Sequence, residues 1–171
     1  MKINCGCSIL HVPGYLNIDI NPEVKPDRIL DCLKMTRDDF PGEIIEEIRA
    51  WHLLEHLPVN NQVIDRDYTA ILKHWYDLLV PGGWLKISMP NIQLVIVKYF
   101  DLINNPPKAD FNFQEECLLR EIYGLHTSPW EIHHMGFSKE RAARIMEMAG
   151  FRNLRYGVEL DRDAFVVEGQ K

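Results

Sequence analysis

The stretch Leu78-Leu79-Val80-Pro81-Gly82-Gly83-Trp84-Leu85-Lys86-Ile87-Ser88-Met89-Pro90-Asn91 does most to limit what this chain can fold into. Pro81 stops the preceding helix, because it lacks an N–H and clashes with the previous turn. Gly82-Gly83 supply backbone angles that other residues reach only with strain. Trp84 to Met89 then reads as a buried strand, ended by Pro90-Asn91. In open α/β sheets, ligands bind at the carboxyl ends of the strands. Ser88 to Asn91 is therefore a candidate site wall, and the question is what else reaches the same edge.

The rest of the chain supplies strands and helices in alternation. Lys2 to Cys7 is a short first strand, Tyr15 to Ile20 a second and Arg28 to Asp31 a third. Ile44 to Ile48 is a brief helix or the approach to a fourth strand at Ile48 to Leu53. Asn60 and Asn61 are helix caps in type. The following stripe Ile64, Tyr68, Ile71, Leu72, Trp75, Leu78 and Leu79 has the spacing of one buried helix face. Ile92 to Ile103 reads as helix and Asn104-Asn105-Pro106-Pro107 breaks it. Lys108 to Phe137 reads as irregular, aromatic and histidine-rich. Ser138 caps a last helix with Gly150 past its end, and Arg152 to Leu160 and Ala164 to Glu168 form a closing antiparallel pair. This order predicts an α/β fold with a mostly parallel sheet and an antiparallel edge at the carboxyl terminus.

Size and charge narrow the function. With 171 residues, 46% hydrophobic and 26% charged, residues 1–171 suit one domain with a real core. A net charge of −6 argues against a protein built to grip nucleic acid. The local basic run Lys139, Arg141, Arg144, Arg152 and Arg155 reads as a solvated face rather than a phosphate site. No run approaches the ~18 apolar residues of a membrane span. Met1-Lys2-Ile3-Asn4-Cys5 is not an apolar leader, so the expectation is a cytoplasmic chain with reduced thiols and no membrane partner. Cys5-Gly6-Cys7 is too closely spaced for a C-x-x-C pair. It, Cys32 and Cys117 read as ordinary strand-end and core cysteines.

Several polar groups converge on the strand ends. Gly6 follows the first strand, Asp19 ends the second, Asp31 ends the third, and Trp51-His52 follow the fourth. A strand-end carboxylate can accept two hydrogen bonds from a ribose diol. The joint pattern points to a nucleoside-containing ligand and to nothing finer.

These residues carry a resemblance. The chain resembles class I S-adenosylmethionine-dependent methyltransferases, closest to a small type 11-like branch with a shortened glycine loop. The matching pieces are Ile3-Asn4-Cys5-Gly6-Cys7, Gly14-Tyr15-Leu16-Asn17-Ile18-Asp19, Ile29-Leu30-Asp31, Ala50-Trp51-His52-Leu53-Leu54-Glu55-His56-Leu57, Leu78 to Asn91, and His134-Met135-Gly136-Phe137-Ser138 leading to Ala149-Gly150-Phe151. The resemblance implies a Rossmann-like sheet of seven strands, the last antiparallel, and S-adenosylmethionine as cofactor. It implies that Asn4, Cys5, Gly6 and Cys7 border the methionine part, that Asp19 with Ile20 holds the ribose side, and that Asp31 and Cys32 lie beside adenine. Trp51 and His52 would sit near the sulfonium and the methyl acceptor. The acceptor expected is a small molecule. His52, His134 and Glu55 are the candidate bases, and residues 92–137 the candidate acceptor-site lid. No metal is expected. The first loop departs from the family pattern: it has only Gly6, and the 12 residues 7–18 leave no room for a normal helix plus a strand. The first helix is thus expected to be shortened or missing.

Two other readings stand beside this one. A methyltransferase-like fold that serves as an inactive binding or assembly module is favoured by the lone glycine. His52-Leu53-Leu54-Glu55-His56 also matches H-x-x-E-H, the pattern of a zinc hydrolase in which a helix presents two histidines to zinc and Glu55 serves as general base. That motif needs a long helix, and Pro58 follows at once. His126, His133 and His134, near Tyr123, Trp130 and Glu131, read as loop-packing residues bonded to backbone or as an acceptor site. Spacing lends no support to a metal shared between His133 or His134 and His52 or His56.

Overall fold

A computed structural model describes residues 1–58, 64–107, 109–159 and 163–171. The elements are β1 (Lys2–Cys5), β2 (Leu16–Asp19), β3 (Arg28–Ile29), β4 (Glu47–Trp51), α1 (Ile64–Leu78), β5 (Trp84–Pro90), α2 (Ile92–Asn104), α3 (Phe111–Tyr123), α4 (Lys139–Ala149), β6 (Arg152–Glu159) and β7 (Ala164–Gln170). They form one seven-stranded sheet in the order β3-β2-β1-β4-β5-β7-β6. Strands β1 to β5 pair in parallel, and β7 runs antiparallel to both of its neighbours. This is the mostly parallel sheet with an antiparallel carboxy-terminal strand that the alternation predicts.

The Pro81-Gly82-Gly83 turn forms as its residues require. Gly82 has φ +82°, and a Cβ on Gly83 would lie 3.0 Å from the Val80 carbonyl oxygen and 3.1 Å from that of Glu46. The turn thus lets α1 end directly against the start of β4 and β5. Tyr68, Leu72, Trp75, Leu78 and Leu79 are buried along α1, as their spacing demands. Ser138 Oγ accepts the Arg141 amide at the start of α4, and Gly150 closes that helix in a left-handed conformation. The caps expected at Asn60 and Asn61 lie outside the described residues, as does Leu160 of the expected sixth strand.

Helices α1 and α4 cover one face of the sheet. Ile3, Cys5, Ile18, Ile48, Ala50, Leu85, Ile87, Met89, Phe165 and Val167 alternate onto that face and join Leu72, Trp75, Ile145 and Met146 in one core. Each fully buried aliphatic side chain of this set contributes about 1.5–3 kcal/mol. The intervening positions give the second face a different character: Asn4, Asn17, Glu47, Arg49, Trp51, Lys86 and Glu168. Glu47 there is buried with Tyr15, Lys2 and Lys86 as partners. Between β1 and β4 the chain makes only the 3₁₀ turns Pro22–Val24 and Arg37–Asp39, so the missing first helix is one of several replaced crossovers.

Three expectations need correction. Ile44 to Ile48 is not a helix; residues 43–46 are an irregular lead into β4, which begins at Glu47 and ends at Trp51 rather than Leu53. The first three strands are shorter than expected: β1 ends at Cys5, β2 spans Leu16–Asp19 and β3 only Arg28–Ile29, which stops opposite the end of β2. Residues 108–137 are not irregular throughout, since Phe111–Tyr123 is the helix α3. Its half-buried positions Phe111, Glu115, Leu118, Leu119 and Ile122 do follow helical spacing. A charged Glu115 within the stripe, bonded to Tyr99 of α2, hides the period from an apolar count.

Candidate functional site at the carboxyl edge of the sheet

Register brings the expected residues to one edge. Cys5 pairs with Ile18 on one side and Ala50 on the other, Asp19 pairs with Ile29, and Trp51 with Ser88. The chain leaves β1 through Gly6 at φ +60°, and Ser8 follows in a left-handed conformation. The Ser8 amide then donates to Asp19 Oδ2 at 2.8 Å, while Asp19 Oδ1 accepts the Asn21 amide at 2.9 Å. Asp19 thus ties the β1 loop to the end of β2, yet each oxygen keeps a second acceptor site. Ile20 beside it is 46% exposed, and Ile9 and Leu10 of the loop are 81% and 58% exposed. These three exposed apolar residues stand next in sequence to the groups that Asp19 joins, and Ile9 and Leu10 were not picked out by the sequence.

Other expected contacts are committed to the scaffold. Asn4 is buried, with Nδ2 donating to the Leu10 carbonyl and to Asn17 Oδ1. Cys5, Cys7 and Cys32 are buried. Burial, reinforced by neighbouring acidic groups, pushes the Cys7 thiol up to about 11 and the Cys32 thiol up to about 12. Burial likewise raises Cys5. They are neutral sulfur at physiological pH. The Cys32 carbonyl accepts Trp75 Nε1–H at 2.9 Å, which anchors the loop after β3 to α1. Asp31 Oδ1 caps the Leu33 amide, and its Oδ2 lies 3.1 Å from Lys34 Nζ.

The end of β4 holds a denser polar cluster. His52 adopts φ +48° and donates its amide to the Ser88 carbonyl of β5. Its Nε2 meets Glu159 Oε2 at 3.0 Å, and Ser88 Oγ donates to the same oxygen at 2.7 Å. His52 Nδ1 lies 3.3 Å from Glu55 Oε1, at an angle that misses a hydrogen bond. Burial disfavours a charge on His52, but the negative charge of Glu55 beside it, and then that of the hydrogen-bonded Glu159, outweigh it and raise its pKa. The imidazole is therefore biased toward imidazolium and clamped by two carboxylates. Glu159 lies 107 residues from His52 in sequence, and only the return of β6 to the edge through β7 reveals it.

The H-x-x-E-H helix does not form. Leu54–His56 is a single 3₁₀ turn, and His52 stands outside it in a left-handed conformation. His52 and His56 consequently face different neighbours. His56 Nδ1 is 3.2 Å from the Ile132 carbonyl, and its ring meets that of His133 edge-on at 4.6 Å. Burial lowers the His56 pKa. His134 is exposed, and its amide donates to the Glu55 carbonyl at 2.7 Å. His126 and His133 bond the carbonyls of Tyr123 and Glu121. The excursion over residues 92–137 leaves and returns at one place, because Asn91 pairs with Phe137 and the Ile92 amide donates to the Phe137 carbonyl. A cleft of about 390 Å³ between α2 and α3, lined by residues including Lys98, Leu102, Phe113 and Asp163, lies away from the β1 loop.

No family model matches the chain. Nor does any curated protein match it in sequence. Solved structures do match in fold. A S-adenosylmethionine-dependent methyltransferase from Archaeoglobus fulgidus superposes with a TM-score of 0.62 at 12% identity, over 99% of this chain and 85% of that one. Magnesium protoporphyrin IX methyltransferase from Synechocystis, solved with bound S-adenosylhomocysteine, gives 0.58 at 15% identity, over 100% and 74%. A Bordetella parapertussis structure described as a possible exported protein gives 0.62 at 17% identity; this chain spans 61% of its length. At these identities the likeness establishes the fold alone, a Rossmann-like sheet that this chain shares with these methyltransferases. No helix among the described residues is long and apolar enough to cross a membrane.

Proposed function

We propose that the chain binds S-adenosylmethionine across the carboxyl ends of β1, β2 and β4 and transfers its methyl group to a small-molecule acceptor. The observation that carries this reading is the meeting of Gly6, Asp19 and Trp51-His52 at one edge of a methyltransferase-type sheet. Bound there, the cofactor supplies a methyl group activated on a sulfonium. Asp19 uses its remaining acceptor sites for the ribose hydroxyls, with Ile20 as an apolar flank. Gly6 supplies the left-handed turn, at φ +60°, that carries the β1 loop over the edge against Leu53.

Methyl transfer is an in-line displacement, so the protein's main task is to orient the acceptor and exclude water. The tethered excursion 92–137 is placed to do both. An acceptor hydroxyl or amine must also lose a proton. His134, exposed and tied to this edge by its amide bond to the Glu55 carbonyl, is the better placed base. His52 is already held by Glu55 and Glu159, and in this reading orients the edge from beneath.

Calorimetric titration with S-adenosylmethionine and S-adenosylhomocysteine tests the proposal. Binding of both, weakened at least about tenfold by Asp19→Ala (~1.4 kcal/mol), is expected. Absence of binding at millimolar ligand would replace the enzyme with a binding or assembly module of the same fold.

A further inference from the structure

The turn after β4 and the segment before α4 bring three metal-ligating side chains together, the most distant pair, Glu55 and His133, being 78 positions apart in sequence. One ligand atom from each of Glu55, His56 and His133 lies within 4.8 Å of the other two. Bonds of about 2.0–2.1 Å place tetrahedral ligands about 3.3 Å apart, so a small contraction of side chains closes the set on one ion.

The surroundings of these three groups favour an ion over an accidental cluster. The Glu55 side chain is 1% exposed, and neither carboxylate oxygen receives a hydrogen bond. A buried carboxylate without donors is costly and needs a cation or an ordered partner. His52 Nδ1 reaches only Oε1, at 3.3 Å, which leaves Oε2 without a partner among the described residues. Both histidines are also pre-oriented. His56 Nδ1 faces the Ile132 carbonyl and His133 Nδ1 the Glu121 carbonyl. A carbonyl only accepts, so each Nδ1 carries the proton and each Nε2 keeps a lone pair. That arrangement is the one metal-bound histidines use to fix tautomer and ring direction.

We propose that Glu55, His56 and His133 form a binding site for one divalent transition-metal ion. Two imidazoles and one carboxylate suit zinc and its neighbours in the first transition row rather than magnesium or calcium, which prefer oxygen. Three protein ligands leave a coordination position for water or an acceptor oxygen. The ion also cross-links the end of β4 to the loop that closes the 92–137 excursion. This site is distinct from the H-x-x-E-H pattern, because His133 replaces His52 as the second imidazole.

The test uses metal alone, so its outcome is independent of methyl transfer. The full chain is titrated with Zn²⁺ by calorimetry and with Co²⁺ by visible absorption. One ion per chain, with the intense visible bands of low-coordinate cobalt, is expected. His133→Ala and Glu55→Gln should each weaken binding at least about tenfold, since even groups that only support a ligand cost that much. His126→Ala, a histidine outside the cluster, should leave binding unchanged. Long-range ¹H–¹⁵N spectra of the unaltered chain supply a readout that needs no variant: zinc must shift the Nε2 signals of His56 and His133 and spare that of His126. No ion bound by the unaltered chain, equal affinity in His133→Ala, or zinc shifts confined to other histidines would each overturn the site.

Discussion

Gly6 lies so close to Leu53 that a Cβ on Gly6 would fall 2.6 Å from Leu53 Cδ1, with Gly6 itself at φ +60°. The loop after β1 and the turn after β4 are thereby pressed together at the proposed cofactor edge. Gly6→Ala meets two penalties: a left-handed backbone, costing about 1–2 kcal/mol, and a clash that the flexible Leu53 side chain can partly relieve. Urea unfolding should show a loss within about that range, with weaker binding of S-adenosylhomocysteine. Adding Leu53→Ala should not restore cofactor binding, because the backbone strain at position 6 persists. Recovery of binding in the double variant would assign the effect to the clash alone.

Asn17 does the work of the absent first helix. Its Oδ1 accepts Asn4 Nδ2 at 3.0 Å and the Val12 amide at 2.8 Å, and its Nδ2 donates to the Tyr15 carbonyl and Asp27 Oδ2. One buried amide therefore holds β1, the connecting loop and the loop after β2. Asn17→Ala strands several of these groups, each worth about 1–3 kcal/mol when buried without a partner. A loss of about 2–4 kcal/mol in chemical denaturation is expected, together with faster amide exchange at Val12. A loss below about 1 kcal/mol would show that water replaces the network without cost.

Asp27 makes that network depend on pH. Its carboxylate accepts the Asn17 amide and side-chain Nδ2, both at 2.8 Å, and these bonds hold its pKa below the usual carboxylate value. A lowered native pKa adds stability above the unfolded value of about 3.9 and loses it as pH falls through the native value. The stability gap between the unaltered chain and Asp27→Asn should thus be full at neutral pH and close progressively below pH ~4. Urea midpoints measured between neutral and acid pH read this directly. A gap that is constant or widens in acid contradicts the assignment.

The fold was legible because its punctuation is local. Pro81-Gly82-Gly83, the α1 stripe and the Ser138 and Gly150 caps each encode their element within a few residues. The missing first helix was also legible, since the span from Gly6 to Asp19 is too short to hold one. Strand ends were not, because pairing needs a partner and not only an apolar run: β3 stops at Ile29, opposite Asp19, where β2 itself ends. The site was legible only where strand ends deliver it: Gly6, Asp19 and His52. Glu159 and His133 join His52 and His56 through tertiary return of distant segments, and no spacing in the chain encodes those meetings. Asn4 illustrates the opposite error of scale, a polar residue at a strand end whose side chain is consumed by the scaffold.

The cysteines offer a direct test of how this edge is built. Cys5, Cys7 and Cys32 are buried beneath it, and Cys117 on α3 is exposed. Thiolate is the reactive form, so burial that raises Cys7 to about 11 and Cys32 to about 12 suppresses their reaction twice, through access and through ionisation. In the native chain at pH ~8, near the unperturbed thiol value, a thiol-reactive chromogen should label one cysteine rapidly, and Cys117→Ser should abolish that phase. All four should react in denaturant. A cofactor edge that opens in solution would instead expose Cys7, giving a second phase that survives Cys117→Ser and slows when S-adenosylhomocysteine is added. Labelling that stays at one site, with or without ligand, is the result expected of a preformed β1 loop held shut by Asp19 and Asn17.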